Sequence, residues 1–259
     1  CRIKTKVSQK MVEILVVDLD GTLIKTDMLH ESFWSSVNNN WFAALGSLAA
    51  LRHGKAALKW KLSTTSNVDI AKLPYNQSVV DYIKKHREVG GRTTLITGST
   101  QIFAKEVSDH CKLFDEAYGS EDGENLTGEK KRAFIREKYG GRSFSYIGNS
   151  EDDLAVWQDA SEIITVDAPR KIQEKAESFG KPTQHIQCGR VLIPSYFKLI
   201  RVHQWVKNLL IFLPMVAAHQ LDRDNILLSF FGFLSFSFIA SSVYILNDLL
   251  DLDADRSHP

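Results

Sequence analysis

The sequence predicts an α/β fold with a parallel sheet, followed by two membrane-crossing α-helices. Three observations carry that expectation. Strand-like and helix-like segments alternate through the first two thirds of the chain, the pattern of a sheet joined by crossover helices. The recognisable polar motifs there follow directly on strand-like runs, which is where open α/β sheets bind ligands. Further on, residues 226–246 form a run of 21 residues without a charge, and about 20 helical residues cross a bilayer.

Strands are predicted at 13–17, 93–97, 143–147 and 162–166, with helices at 78–88, 101–110 and 131–139. Between about 28 and 72 the pattern changes to helix carrying Phe33, Trp34, Trp41, Phe42 and Trp60 among lysines and arginines. This reads as a helical insertion whose aromatics pack internally. Residues 181–189 are polar and include Pro182, a linker candidate, so a soluble domain is expected over 1–182 and a membrane region over 183–259. In that region the apolar run 209–218 is interrupted by Pro214. It reaches spanning length only if its helix starts near Val202 and takes in Trp205 at the interface, giving helices at about 202–219 and 226–250.

The 259 residues leave room for a sizeable core and something besides it. A formal net charge of +1 gives no electrostatic case for a nucleic-acid partner. Cys1, Cys111 and Cys188 are too far apart for a metal or disulfide pattern and point to a reducing compartment. The chain opens on Cys1 rather than methionine and closes at Pro259 just past an acidic motif, so a fragment of a longer protein is expected. The first apolar run, 14–17, is too short for a signal peptide.

The strongest motif is Val16-Val17-Asp18-Leu19-Asp20-Gly21-Thr22-Leu23. A carboxylate at the end of an apolar strand can attack phosphorus, and a second one two residues on can protonate the leaving oxygen and then activate water. Like charges this close favour a hard cation between them, and Mg²⁺ takes oxygen ligands. An ordinary Asp/Gly turn would account for this motif alone. Three companions argue against that. Leu95-Ile96-Thr97-Gly98-Ser99 ends a second strand with hydroxyls and small residues, and Gly128-Glu129-Lys130-Lys131 offers an ammonium to a transferring phosphoryl group. Tyr146-Ile147-Gly148-Asn149-Ser150-Glu151-Asp152-Asp153 ends another strand with oxygen ligands.

In this order the four motifs resemble those of the haloacid dehalogenase (HAD) superfamily over roughly residues 11–180. The resemblance implies a Rossmann-like core with an inserted type-1 helical cap, and a Mg²⁺-dependent phosphatase acting on a phosphomonoester. It also implies residue roles: Asp18 the nucleophile, Asp20 the general acid/base, Thr97 a phosphoryl ligand and Lys131 the lysine, with Lys130 one position early. Asp18, Asp20, Asn149 and Asp153 would form the metal site. Asn149 stands where the family carries an aspartate, so one negative charge is missing from that set.

The second apolar run leads into Asn247-Asp248-Leu249-Leu250-Asp251-Leu252-Asp253-Ala254-Asp255-Arg256. On a continuing helix of about 100° per residue, Asn247, Asp251, Asp255 and Asp248 fall at roughly 0°, 40°, 80° and 100°, and Asp253 on the far side. Carboxylates on one stripe at a membrane helix end are tolerable if they hold Mg²⁺ against a phosphate or diphosphate. A water-exposed acidic helix end is the plain alternative, though it opposes the helix dipole.

Together with Arg201 to Asn208, Ser241 to Tyr244 and His258-Pro259, this stretch resembles the first aspartate motif of UbiA-type prenyltransferases, above all the polyprenyl-phosphate phosphoribosyltransferases. That resemblance implies a polyprenyl phosphate or diphosphate lipid held by Asn247, Asp248, Asp251, Asp255 and Lys207 through Mg²⁺. Arg190, Lys198, Arg201 and Lys207 precede the first membrane helix, against Arg223 alone in the loop, so the soluble domain is expected on the cytoplasmic side of an inner or plasma membrane. The expected protein is thus a bifunctional membrane enzyme. The alternative is a non-catalytic domain that binds phosphate and regulates or anchors the membrane half.

Overall fold

Strand β1 (Ile14–Val17) sits at the centre of a six-stranded sheet in the computed structural model, which describes residues 14–121, 125–188, 200–251 and 255–256. All four of its residues are buried, as a strand covered on both faces requires. The remaining strands are β2 (Arg92–Thr100), β3 (Glu116–Ser120), β4 (Phe144–Gly148), β5 (Glu162–Val166) and β6 (Thr183–Ile186). They pair in parallel in the order β3-β2-β1-β4-β5-β6. The chain steps outward from β1 to β3, then returns to the other side of β1 as β4. The switch point between β1 and β4 opens a crevice at the carboxyl ends of these strands.

Side chains alternate between two cores. Leu15, Val17, Leu95, Ile147 and Ile164 pack under Val79 and Ile83 of α3 (Gln77–Glu88) and Phe103 and Val107 of α4 (Gln101–Cys111). Ile14, Val16, Ile96, Tyr146 and Ile163 face Ile135 of α5 (Gly128–Tyr139) and Trp157 of α6 (Leu154–Trp157). Helix α7 (Arg170–Glu177) adds Ala176 to the second core.

Strands β3 and β6 were not among the expected elements, and β6 occupies the linker candidate. Both lie at sheet edges, where half-buried Glu116 and His185 and exposed Gln184 are tolerated and the apolar signal is weak. Residue 13, expected to begin β1, lies outside the described residues.

Between β1 and β2 lie α1 (Met28–Ser47), a 3₁₀ segment Leu48–His53, α2 (Lys55–Thr65) and a 3₁₀ turn Ile70–Lys72. Asp27 caps α1, its carboxylate accepting from the Leu29 amide at 2.7 Å. Leu58 and Leu62 bury one face of α2. The expectation that the aromatics here pack internally holds for half-buried Phe33, Trp34 and Trp60 but fails for Trp41 and Phe42, which are exposed.

Residues 1–189 and 190–259 form two compact units. In the second, a 3₁₀ segment Val202–Phe212 leads into α8 (Leu213–Ala217) and then α9 (Arg223–Leu250). Among the described residues only α9 is long and apolar enough to cross a membrane. The expected first membrane helix is not continuous, because Pro214 has no N–H to donate and sits in the first turn of α8, where a helix restarts. The 3₁₀ segment leans on α9 through polar contacts. Trp205 Nε1 donates to Ser241 Oγ at 3.0 Å, Asn208 Nδ2 donates to Ser237 Oγ at 2.9 Å, and Ser241 Oγ donates to the Ile200 carbonyl at 2.7 Å.

Candidate functional site

The β1–β4 crevice holds a cavity of about 490 Å³ whose lining includes Asp18, Asp20, Lys131, Asn149 and Asp153. Asp18 is the first residue after β1, its amide donating to the Ile147 carbonyl at 3.0 Å. Lys131, in the first turn of α5, donates to Asp18 Oδ1 at 2.8 Å and to the Tyr146 hydroxyl at 2.9 Å. Tyr146 in turn donates to Asp153 Oδ1 at 2.6 Å. The other oxygen of Asp153 accepts from the Asn149 amide, the Ser150 amide and the Ser150 hydroxyl, each at 3.0 Å. One buried chain of contacts therefore runs from Asp18 through Lys131 and Tyr146 to Asp153 and the loop after β4.

Burial sets the electrostatics. It pushes the Asp18 carboxyl up to about 7, against the opposing pull of Lys131, with Asp153 and Asp20 adding to the rise. Burial also disfavours charge on Lys131, but Asp18 and Asp153 outweigh it and hold the ammonium above the usual lysine range. The Tyr146 phenol is held well above its usual value by burial and by Asp153, so it stays a donor.

Asp20 is fixed differently. Its Oδ1 accepts from the Met28 amide at 2.8 Å, and its Oδ2 from Ser99 at 2.6 Å and Thr97 at 3.3 Å. Burial and then Asp27 raise its pKa, which favours a protonated acid. Gly21 explains the rest of the motif. It adopts φ +68°, a backbone conformation that L side chains rarely take, and a Cβ there would meet the Asn149 side-chain amide.

The crevice thus gathers Asp18, Asp20, Lys131, Asn149 and Asp153. Thr97 is brought to Asp20 but is fully buried, its hydroxyl engaged with Asp20 and the Ser99 amide; Gly98 lines the cavity in its place. Lys131 rather than Lys130 reaches Asp18; Lys130 lines a separate cavity. Three contributors were not singled out from sequence: Tyr146, Ser99 and His30, the last on the cavity wall. The sequence trace of Tyr146 is its place at the head of the motif that ends in Asp153, as a tyrosine on a strand-like run. Lys59 crosses from α2 to donate to the Gly98 carbonyl at 2.9 Å and lines the cavity. Lys55 and Lys61 remain on the surface.

For a divalent cation the donors offered here are oxygens, as Mg²⁺ requires. Asp18 and Asp20 are raised in pKa by burial, so a cation between them would relieve a real cost. Asp153 is committed to four hydrogen bonds and serves as a support. Among the described residues no three His, Cys, Asp or Glu side chains converge on one point.

In the second unit α9 ends at Leu250, as expected; residues 252–254 lie outside the described residues, and the Asp255 amide donates to the Asp251 carbonyl at 2.9 Å. Asn247 donates to Asp251 Oδ2 at 3.0 Å, and Asp248 pairs with Arg201 at 2.8 Å. Asp255 is exposed, and Lys207 is exposed on the 3₁₀ segment with no contact to these acids among the described residues. Asp253, Arg190, Lys198 and His258-Pro259 lie outside the described residues.

A family model for haloacid dehalogenase-like hydrolases matches residues 15–157. The chain is 35% identical over 246 residues, covering 94% of it and 48% of the relative, to the uncharacterized protein y4nM of Sinorhizobium fredii. It is 40% identical over 73 residues, 26% of this chain, to a decaprenyl-phosphate phosphoribosyltransferase of Mycobacterium tuberculosis, of which it covers 24%. The chain therefore spans about half the length of the first of these relatives and about a quarter of the second. A crystal structure of a protein of unknown function from Bordetella pertussis shares the fold, with a TM-score of 0.51 at 13% identity, over 66% of this chain and 97% of that one.

Proposed function

Because the chain belongs to the haloacid dehalogenase-like hydrolase family, we propose that its first unit hydrolyses a phosphomonoester through a covalent aspartyl-phosphate. Asp18 attacks phosphorus and the bond to the ester oxygen breaks, while Asp20 gives that oxygen its proton. Asp20 then takes a proton from water, which attacks the same phosphorus and frees Asp18 and inorganic phosphate. Lys131 balances the charge that gathers on Asp18 and the phosphoryl oxygens. Ser99, Thr97 and the Met28 amide hold Asp20 in place. Asp18, Asp20 and Asn149 would hold Mg²⁺, with Asp153 positioning the loop that carries Asn149. Bound there, the cation would neutralise and orient the phosphoryl oxygens.

The observation that carries this reading is the buried Lys131–Asp18 contact at 2.8 Å beside an Asp20 whose pKa is raised. The test is Mg²⁺-dependent release of p-nitrophenol from p-nitrophenyl phosphate by the whole chain in detergent. Wild type turns over, and Asp18→Asn lowers the rate by about 10³-fold or more. Equal rates would remove Asp18 as nucleophile. No turnover by wild type would favour the second reading, a phosphate-binding domain without catalysis, which the missing carboxylate at Asn149 supports.

The second unit is read as the start of a UbiA-type transferase for a polyprenyl phosphate or diphosphate. Support comes from the Asn247-to-Asp255 motif, from α9 and from the 73-residue match to a decaprenyl-phosphate enzyme. With Arg201 and Lys207 flanking the membrane segment, the phosphatase would sit on the cytoplasmic side. We therefore expect it to dephosphorylate a substrate or product of the transferase, with Lys59 and His30 contacting the headgroup. Tethering raises the local concentration of a shared intermediate. Supplied with transferase substrates, the full-length protein should yield a dephosphorylated lipid and Asp18→Asn the phosphorylated one. Identical lipid profiles by mass spectrometry would remove the link between the two steps.

A further inference from the structure

The helical insertion turns its largest apolar side chains outward. Helix α1 breaks at Asn40, where φ is −159° and ψ 96°, and beyond that break Trp41, Phe42 and Leu45 are 54%, 68% and 51% exposed. Leu48 and Leu51 continue the exposed apolar surface into the 3₁₀ segment. At about 100° per residue, Trp41, Leu45 and Phe42 share an arc of roughly 100°. The residues this stretch buries, Ala44 and Ser47, lie on the opposite side. It therefore buries the small Ala44 and Ser47 and shows its largest residues to solvent, the reverse of a helix that ends in water.

Its charge is equally one-sided. No Asp or Glu occurs from Ser32 to Val68, while Arg52, Lys55, Lys59 and Lys61 do. Lys59 is turned toward Gly98, but Arg52, His53, Lys55 and Lys61 are exposed beside the apolar face.

We propose that the 41–51 face of the insertion rests in the headgroup layer of an anionic bilayer. Trp, Phe and Leu flanked by cations are what such a layer binds, the rings entering the acyl boundary and the cations meeting lipid phosphates. The same chain carries α9, a helix long and apolar enough to cross a membrane. A second copy of the chain would also cover the apolar face, but it would leave the cations beside that face without the acidic partners that an anionic lipid surface offers. Charge thus selects the lipid. This surface is independent of the phosphatase chemistry.

The test places a photoreactive side chain on the face. The full chain with Phe42→benzoylphenylalanine is put into vesicles of phosphatidylcholine with phosphatidylglycerol, irradiated, and the peptide bearing residue 42 is weighed. Phosphatidylglycerol adducts are expected, about fivefold or more above the lipid adducts formed in pure phosphatidylcholine vesicles. The same label at Val89, 78% exposed and outside this face, should give none. Absence of lipid adducts at residue 42, equal adducts in both vesicles, or a chain-to-chain adduct would overturn the proposal. Retention through an alkaline carbonate wash, measured afterwards, reports separately on α9.

Discussion

The chain gathers carboxylates in two places and handles them in opposite ways. In the first unit Asp18 and Asp153 are buried, and Lys131 and Tyr146 hold them in one network. In the second, Asn247, Asp251 and Asp255 are exposed, and Asp248 pairs with Arg201 where each side chain is 36% exposed. Both clusters are rich in acid; in the first, burial pushes the Asp18 carboxyl up to about 7. Burial, rather than the number of acidic residues, turns a cluster into a site of altered reactivity.

Breaking the buried network should have the largest effect. Lys131→Ala leaves Asp18 and Asp153 without their cation, and removing one partner of a buried pair costs about 3–5 kcal/mol. Urea unfolding should show that loss, and phosphatase turnover should vanish. A change below about 1 kcal/mol would mean that the network is not charged in the native protein.

The cation prediction sharpens the same contrast. Asp18 must lose its proton to hold Mg²⁺, and burial places that loss at about pH 7. Below that pH protons compete, so the Mg²⁺ midpoint should weaken by up to about tenfold per unit as pH falls and level off above it. Asn149→Asp should tighten the midpoint, since a carboxylate attracts a hard dication more than an amide does. Isothermal titration checks both, and an unchanged midpoint in Asn149→Asp would show that residue 149 does not face the metal.

Tyr146→Phe tests the bridge with a smaller step. It removes a hydroxyl that accepts from Lys131 and donates to Asp153, at a cost of about 1–3 kcal/mol. Turnover should drop about tenfold, one such step in barrier height. Smallest of all, Arg201→Gln breaks a pair that solvent already screens, so thermal stability should change by less than about 1 kcal/mol.

How much of this was legible in sequence follows from where each signal resides. The central strands announce themselves as apolar runs, and Asp18, Asp20 and Lys131 follow from motif spacing, all three meeting in one cavity. Strands β3 and β6 escaped notice because edge strands carry Glu116, Gln184 and His185 in place of continuous apolar side chains. Tyr146 reads as one more buried strand residue, since nothing local shows that its hydroxyl lies between Lys131 and Asp153. The outward turn of Trp41 and Phe42 depends on the break at Asn40, a backbone feature that residue types alone do not announce.

The central claim is that Asp18, poised against Lys131, takes the phosphoryl group. Acid quenching during turnover followed by borohydride reduction converts an aspartyl-phosphate into homoserine, which peptide mass spectrometry locates. The account expects homoserine at position 18 in the wild-type protein incubated with Mg²⁺ and substrate, and none without substrate. Turnover with no reduction product at position 18, or with the product at another aspartate, would contradict it.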